Sequence, residues 1–229
     1  MLFRSAWQRE PSPFAEETAS LVIVLKVTPS MSETDIPPSR QERAAQKISD
    51  LMEIRPGARN GLVAYAGSAH LVMPLTRDAA VIEAFTADLV PELMPVAGDN
   101  GVAALRLAEQ QLIRGGQPGV ILYITDDVND DMGQAFAGHR KNGGVPVHVW
   151  LACPNPSGQV LTAAKAGGGS VTRFSSDRTD VEQLARRIQQ TATTSSEEGG
   201  DRWQDAGYGL IPMLVFLGIF WFRKGWVLG

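Results

Sequence analysis

Apolar and polar positions alternate in blocks along this chain, and the block lengths predict strands and helices in turn. Leu21 to Val27 is an apolar run broken only by Lys26, as expected of a strand buried on both faces. "SRQERAAQKISDLMEI" then sets Ala44, Ile48, Leu51 and Met52 at helical spacing, with Ser39 as N-cap and Glu42 three residues on, a capping box. "PGARN" breaks that helix, and "GLVAYAGSAHLVMPL" reads as two strands joined by a tight turn at Gly67-Ser68. "RDAAVIEAFTADL" predicts a helix, "VPELMPVAGDN" a loop, and "GVAALRLAEQQLIRGG" a helix with a glycine stop. "GVILYITDD" is a second strand of the fully buried type. A short helix, the strand "VPVHVWLAC", the helix "GQVLTAAKAGGG", the strand "SVTRFS" and the helix "DVEQLARRIQQTA" follow.

This alternation predicts an α/β fold: a doubly wound, mostly parallel sheet with helices on both faces, over residues 20–194. Residues 1–19 read as an extended lead-in. Residues 195–205, rich in small and charged side chains, read as a linker. Ala206 to Phe222 is then 17 residues without a charge, followed at once by Arg223 and Lys224. At ~1.5 Å per residue it covers roughly 25 Å, the short end of a bilayer span. Trp203, Tyr208, Trp221 and Trp226 stand near its ends like an aromatic belt. A transmembrane helix over 206–224 with a tail at 225–229 is therefore expected. The basic pair places the tail in the cytoplasm and the domain in the periplasm of a bacterial inner membrane.

Composition narrows the function. The net charge of −4, with no basic patch among interleaved aromatics, speaks against a nucleic-acid partner. A single cysteine, Cys153, excludes an internal disulfide framework and reads as a half-buried strand-end residue. His70, His139 and His148 lack ligand spacing; His148 reads as a satisfied sheet residue and His139 as a helix-surface one. "GGGS" at 167–170 lies between a helix and a strand, the reverse of the order a phosphate loop needs. No nucleophile elbow or nucleophile–base pair appears, so an enzyme is not expected.

In doubly wound folds ligands bind beyond the carboxyl ends of the strands. Three segments there carry polar groups: Lys26, Thr28 and Ser30 after the first strand, Asp99 and Asn100 in the loop before the third helix, and Thr125, Asp126 and Asp127 after the central strand. Converging hydroxyls and carboxylates make a pocket for a hard cation such as Mg²⁺. The neighbouring Asp130 and Asp131 read as a solvated run at a helix N-terminus.

At these residues the chain resembles the von Willebrand factor type A (VWA) domain, and within that family the bacterial membrane-anchored aerotolerance type. The stretches "SRQERAAQKISDLM", "GLVAYAGSAHLVMPLT", "VAALRLAEQQL" and "RWQDAGYGLIPMLVFLGIFWFRKGW" carry the likeness. The resemblance implies a metal-ion-dependent adhesion site, with Asp-x-Ser-x-Ser after the first strand, a Thr in a later loop and an Asp after the central strand. Here those positions read Lys26, Thr28, Ser30, Asp99 and Asp126. Lysine in place of the first carboxylate would repel a divalent ion; at ~4 Å the cost is several kcal/mol at an effective dielectric of about 20. Two arrangements follow. Lys26 takes the ion's niche and bonds Asp99 and Asp126, or it swings to solvent and Thr28, Ser30, Asp99 and Asp126 hold Mg²⁺ or Mn²⁺ weakly. Lys26, Asn100 and Asp127 are the expected binding residues, with Lys26, if free, attracting an acidic partner group.

The resemblance implies a membrane-anchored scaffold that docks another protein, a related VWA protein being one candidate. A structural subunit assembled through its helices and span is the alternative, and an Mg²⁺-dependent hydrolase or phosphotransfer fold a distant third. Relatives of this type carry spans ahead of the domain, so the likeness implies either a shortened N-terminus or a misjudged start site.

Overall fold

The computed structural model describes residues 7–9, 19–116, 119–156, 158–199 and 203–205. The chain divides into two units. In one, strand β1 (Trp7–Arg9) pairs antiparallel with strand β8 (Trp203–Asp205), Trp7 opposite Asp205. These short strands fall within the expected lead-in and linker.

The other unit, Glu16–Ser196, is the α/β domain. Its strands are β2 (Ser20–Lys26), β3 (Asn60–Tyr65), β4 (Ala69–Thr76), β5 (Gly119–Thr125), β6 (Val147–Leu151) and β7 (Gly168–Arg173). They form one sheet in the order β4-β3-β2-β5-β6-β7. All pairings are parallel except the β3–β4 hairpin at one edge. The helices are α1 (Arg40–Ile54), α2 (Ala79–Asp88), α3 (Gly101–Gly115), α4 (Asp130–Lys141), α5 (Gly158–Lys165) and α6 (Thr179–Gly199). Residues 195–199, expected as linker, are the last turns of α6.

Period-2 alternation splits the core into two layers. Leu21, Ile23 and Leu25 pack with Ala44, Ile48 and Leu51 of α1, Ile82 of α2, and Val181, Leu184 and Ile188 of α6. Val22 and Val24 face the other way, toward Ala104, Leu105, Ala108 and Leu112 of α3 and Phe136 of α4. Helix ends follow the local chemistry. The Ser39 hydroxyl accepts from the Glu42 N–H at 3.1 Å, and Gly116, at φ 65°, stops α3 in the left-handed region that favours glycine.

Sequence order reverses direction at β2. The chain leaves it through α1 toward β3 on one side and returns through α3 to β5 on the other. The switch point therefore lies beyond the carboxyl ends of β2 and β5. Among the described residues no helix is long and apolar enough to cross a membrane. The expected span at 206–224 and tail at 225–229 lie outside the described residues.

Candidate functional site

Three loops meet at this switch point. Lys26 is the last residue of β2. Thr28 leads into a 3-10 turn, Pro29–Ser32. Asp126 follows β5 directly, and Asp99 ends the loop between α2 and α3. That loop is held against the β3–β4 turn, where the Gly67 N–H donates to the Val96 carbonyl at 2.9 Å and the Asn100 N–H to the Ala66 carbonyl at 2.6 Å. A Cβ on Gly67 would lie 2.3 Å from the Ala97 carbonyl oxygen, so the close approach requires glycine.

Lys26 is only 5% exposed. Its Nζ stands 2.8 Å from Asp99 Oδ2 and 2.9 Å from Asp126 Oδ1. Burial works against the ammonium, yet the charge of Asp126 and the hydrogen bonds to Asp99 and Asp126 outweigh it and raise its pKa above the ordinary lysine value. Burial likewise works against ionised Asp126, but the Lys26 charge and a hydrogen bond from Ser30 hold it below the usual carboxylate value. Thr28 Oγ1 and Ser30 Oγ are 2.9 Å apart.

A second cation completes the group. Arg40, at the first position of α1, donates from Nη1 to Asp126 Oδ2 and to the Ser30 carbonyl, both at 3.2 Å. It also grips Asp35 with two donors at 2.8 and 2.7 Å and lies 2.7 Å from Glu33. The bonds to Asp35 raise its pKa despite partial burial. Sequence reasoning did not place Arg40, Glu33 or Asp35 here. A cation in the first turn of a helix opposes the helix dipole, and that misfit was the available signal.

Two expected binding residues have local duties. The Asn100 side chain accepts from the Ala103 N–H at 3.2 Å and caps α3. Asp127 Oδ1 accepts from the Val128 N–H at 2.8 Å, closing its own turn, while the residue stays exposed. Lys26, buried and engaged by two carboxylates, is not open to an acidic partner group. Asn129 caps α4, with Asp130 and Asp131 in its first turn.

The histidines divide. His148 is a satisfied sheet residue: Nδ1 accepts from the Ser170 N–H at 2.9 Å and Nε2 meets Thr191 Oγ1 at 3.2 Å. His139 is not on the surface. Its side chain is 6% exposed, with Nε2 2.9 Å from the Val145 carbonyl and Nδ1 3.5 Å from Glu109, because the last turn of α4 folds over the loop that enters β6.

A divalent ion at the strand ends would need the carboxylate oxygens that Lys26 and Arg40 already hold. Both oxygens of Asp126 face a fixed cation, and Asp99 shares the same ammonium. Among the described residues no group of three His, Cys, Asp or Glu side chains is placed to hold a metal. The residues as arranged do not fit a metal shell.

Residues 21–129 match the family model of the von Willebrand factor type A domain. A UPF0353 protein of Mycolicibacterium paratuberculosis is 30% identical over 105 residues, which are 44% of this chain and 31% of that protein. The chain thus matches less than a third of that relative's length. Among solved structures, the conserved hypothetical protein BatB of Bacteroides thetaiotaomicron superposes with a TM-score of 0.66 at 22% identity, over 76% of this chain and 99% of that one. An aerotolerance-related membrane protein of Bacteroides fragilis gives 0.62 at 21% identity, over 77% and 99%. A von Willebrand factor type A protein of Catenulispora acidiphila gives 0.54 at 17% identity, over 77% of this chain and 43% of that one. At these identities the superpositions speak for the fold alone, and they agree with the family match. The α/β domain of this chain has the von Willebrand factor type A fold, and residues 21–129 match that family's model.

Proposed function

We propose that this domain is a protein-docking module that engages its partner at the carboxyl ends of the parallel strands, and that the apolar segment 206–224 anchors it in a membrane. Domains of this family generally mediate protein–protein interactions. The observation that carries the reading is the shape of the strand-end rim. The loop that ends in Asp99 exposes Val90 (42%), Leu93 (61%) and Val96 (49%), three large apolar side chains on one loop at the strand ends that a partner could cover. Beside it, Glu33, Asp99 and Asp127 reach solvent, while both cations are engaged inward. The matching partner surface is apolar with basic groups, not acidic ones. The name of the Bacteroides fragilis neighbour, a membrane protein, supports the anchor. The reading assigns the domain no catalysis; turnover of a phosphate ester that depends on Asp126 would overturn that part.

The test is site-directed photocrosslinking of the full chain in its own cells. A benzophenone side chain at position 93 should capture a partner protein. The same group at Ile113, 70% exposed at the opposite end of α3, should not. Glu33→Lys with Asp127→Lys should abolish the capture at 93. Equal capture at both positions, or none at 93, would sink the docking reading and favour assembly through helices elsewhere.

A further inference from the structure

The geometry points to Lys26 as a tethered cation standing where a divalent ion would otherwise sit, so that the strand-end face is assembled without metal and becomes a metal site when the ammonium is removed. This inference does not depend on which partner docks or where.

The argument starts from convergence. Nζ of Lys26 joins carboxylates from two loops far apart in sequence, Asp99 before α3 and Asp126 after β5, to the end of β2. That is the task a bound cation performs at the end of a parallel sheet. The surrounding donors are oxygens throughout. Ser30 stands beside Asp126, and its hydroxyl is 2.9 Å from that of Thr28. Two carboxylates and two hydroxyls are the ligand types that hard divalent ions select. What keeps an ion from the space between Asp126 Oδ1 and Asp99 Oδ2 is the ammonium: it is buried and lies within hydrogen-bond distance of both carboxylates. Arg40 does not fill the same space. It approaches Asp126 from the other oxygen, Oδ2, and spends its remaining donors on Asp35, Glu33 and the Ser30 carbonyl. Truncating Lys26 therefore frees Asp126 Oδ1 and Asp99 Oδ2 toward one vacated volume, while Arg40 continues to orient Asp126.

The experiment uses the full chain in detergent micelles. Mn²⁺ binding is followed by electron paramagnetic resonance, and melting is recorded with and without Mg²⁺ at matched ionic strength. Wild type should show no Asp126-dependent Mn²⁺ binding up to about 1 mM, and its Tm should ignore Mg²⁺. Lys26→Ser and Lys26→Asp should each bind Mn²⁺ at least about tenfold more tightly than wild type. Both should melt lower than wild type without metal and recover with Mg²⁺. Adding Asp126→Asn should remove binding and recovery together. A variant that folds only in the presence of Mg²⁺ supports the inference as directly. Three results would overturn it: wild type binding Mn²⁺ through Asp126, both Lys26 variants folded yet no better than wild type at binding, or both unfolded at every Mg²⁺ concentration.

Discussion

Asp126 carries a cation on each oxygen, and that one residue shows how single side chains set the character of this surface. An aspartate so placed stays ionised, and so does the lysine that faces it. The contribution of Asp126 is fully present above the ordinary carboxylate value and is lost as pH falls through its lowered folded value. That of Lys26 is fully present below about 10.5 and is lost as pH rises through its raised one. Between these limits lies His148. Burial, and then the charge of Arg187, lower its pKa from 6.5 to about 4. A proton on Nδ1 would also point at the Ser170 N–H that this atom now accepts. The sign follows. The unfolded chain takes up a proton as pH falls below 6.5 and the folded chain does not, so stability is complete above 6.5 and declines to about pH 4. The loss should be on the order of 3 kcal/mol. Urea unfolding at a series of pH values measures it, and His148→Gln should flatten the slope over that window. An unchanged slope would place the effect elsewhere.

Between elements, ion pairs decide where helices sit. Lys47 of α1 lies 2.6 Å from Asp180 Oδ1 at the start of α6, with both side chains 3% exposed. Lys47 also donates to the Asp177 carbonyl, and Asp180 Oδ2 accepts from the Ser175 N–H at 3.1 Å. With their hydrogen bonds so filled, neither charge tolerates the loss of its partner. Asp180→Ala should cost about 3–5 kcal/mol, because it strands a buried ammonium. Lys47→Met combined with Asp180→Leu should cost much less, since it removes both charges. A double-mutant cycle in denaturant measures the coupling, and additive losses would refute it. The pair was not legible in the sequence. Lys47 lies three residues after Ala44 and four before Leu51, on the apolar stripe of α1, but only the docking of α6 shows which carboxylate it meets there.

At the scale of the whole molecule, the central strands are covered on both faces by helices, so the cost of a truncation depends on depth rather than residue type. Ile23, wholly buried in the middle of β2, should lose about 2–5 kcal/mol as Ile23→Ala. Ile113, 70% exposed on α3, should stay within about 0.5 kcal/mol as Ile113→Ala. Equal losses in chemical denaturation would contradict the layered core.

The order of strands and helices was readable from hydrophobic period alone, because burial on two faces demands continuous apolar strands and burial on one face demands helical spacing. The Ser39 cap, the Gly67-Ser68 turn and the glycine stop of α3 were readable for the same local reason. So was the gathering of Lys26, Thr28, Ser30, Asp99 and Asp126, since doubly wound topology brings the ends of its inner strands together. What only the tertiary structure decided was direction and distance. It placed Nζ of Lys26 between two carboxylates, brought Arg40 across to the far oxygen of Asp126, turned Asn100 to capping α3, and buried His139 against the loop into β6. Spacing along a chain fixes which face a residue occupies, but ion pairs between segments 86 residues apart, as between Arg40 and Asp126, depend on packing that no local pattern encodes.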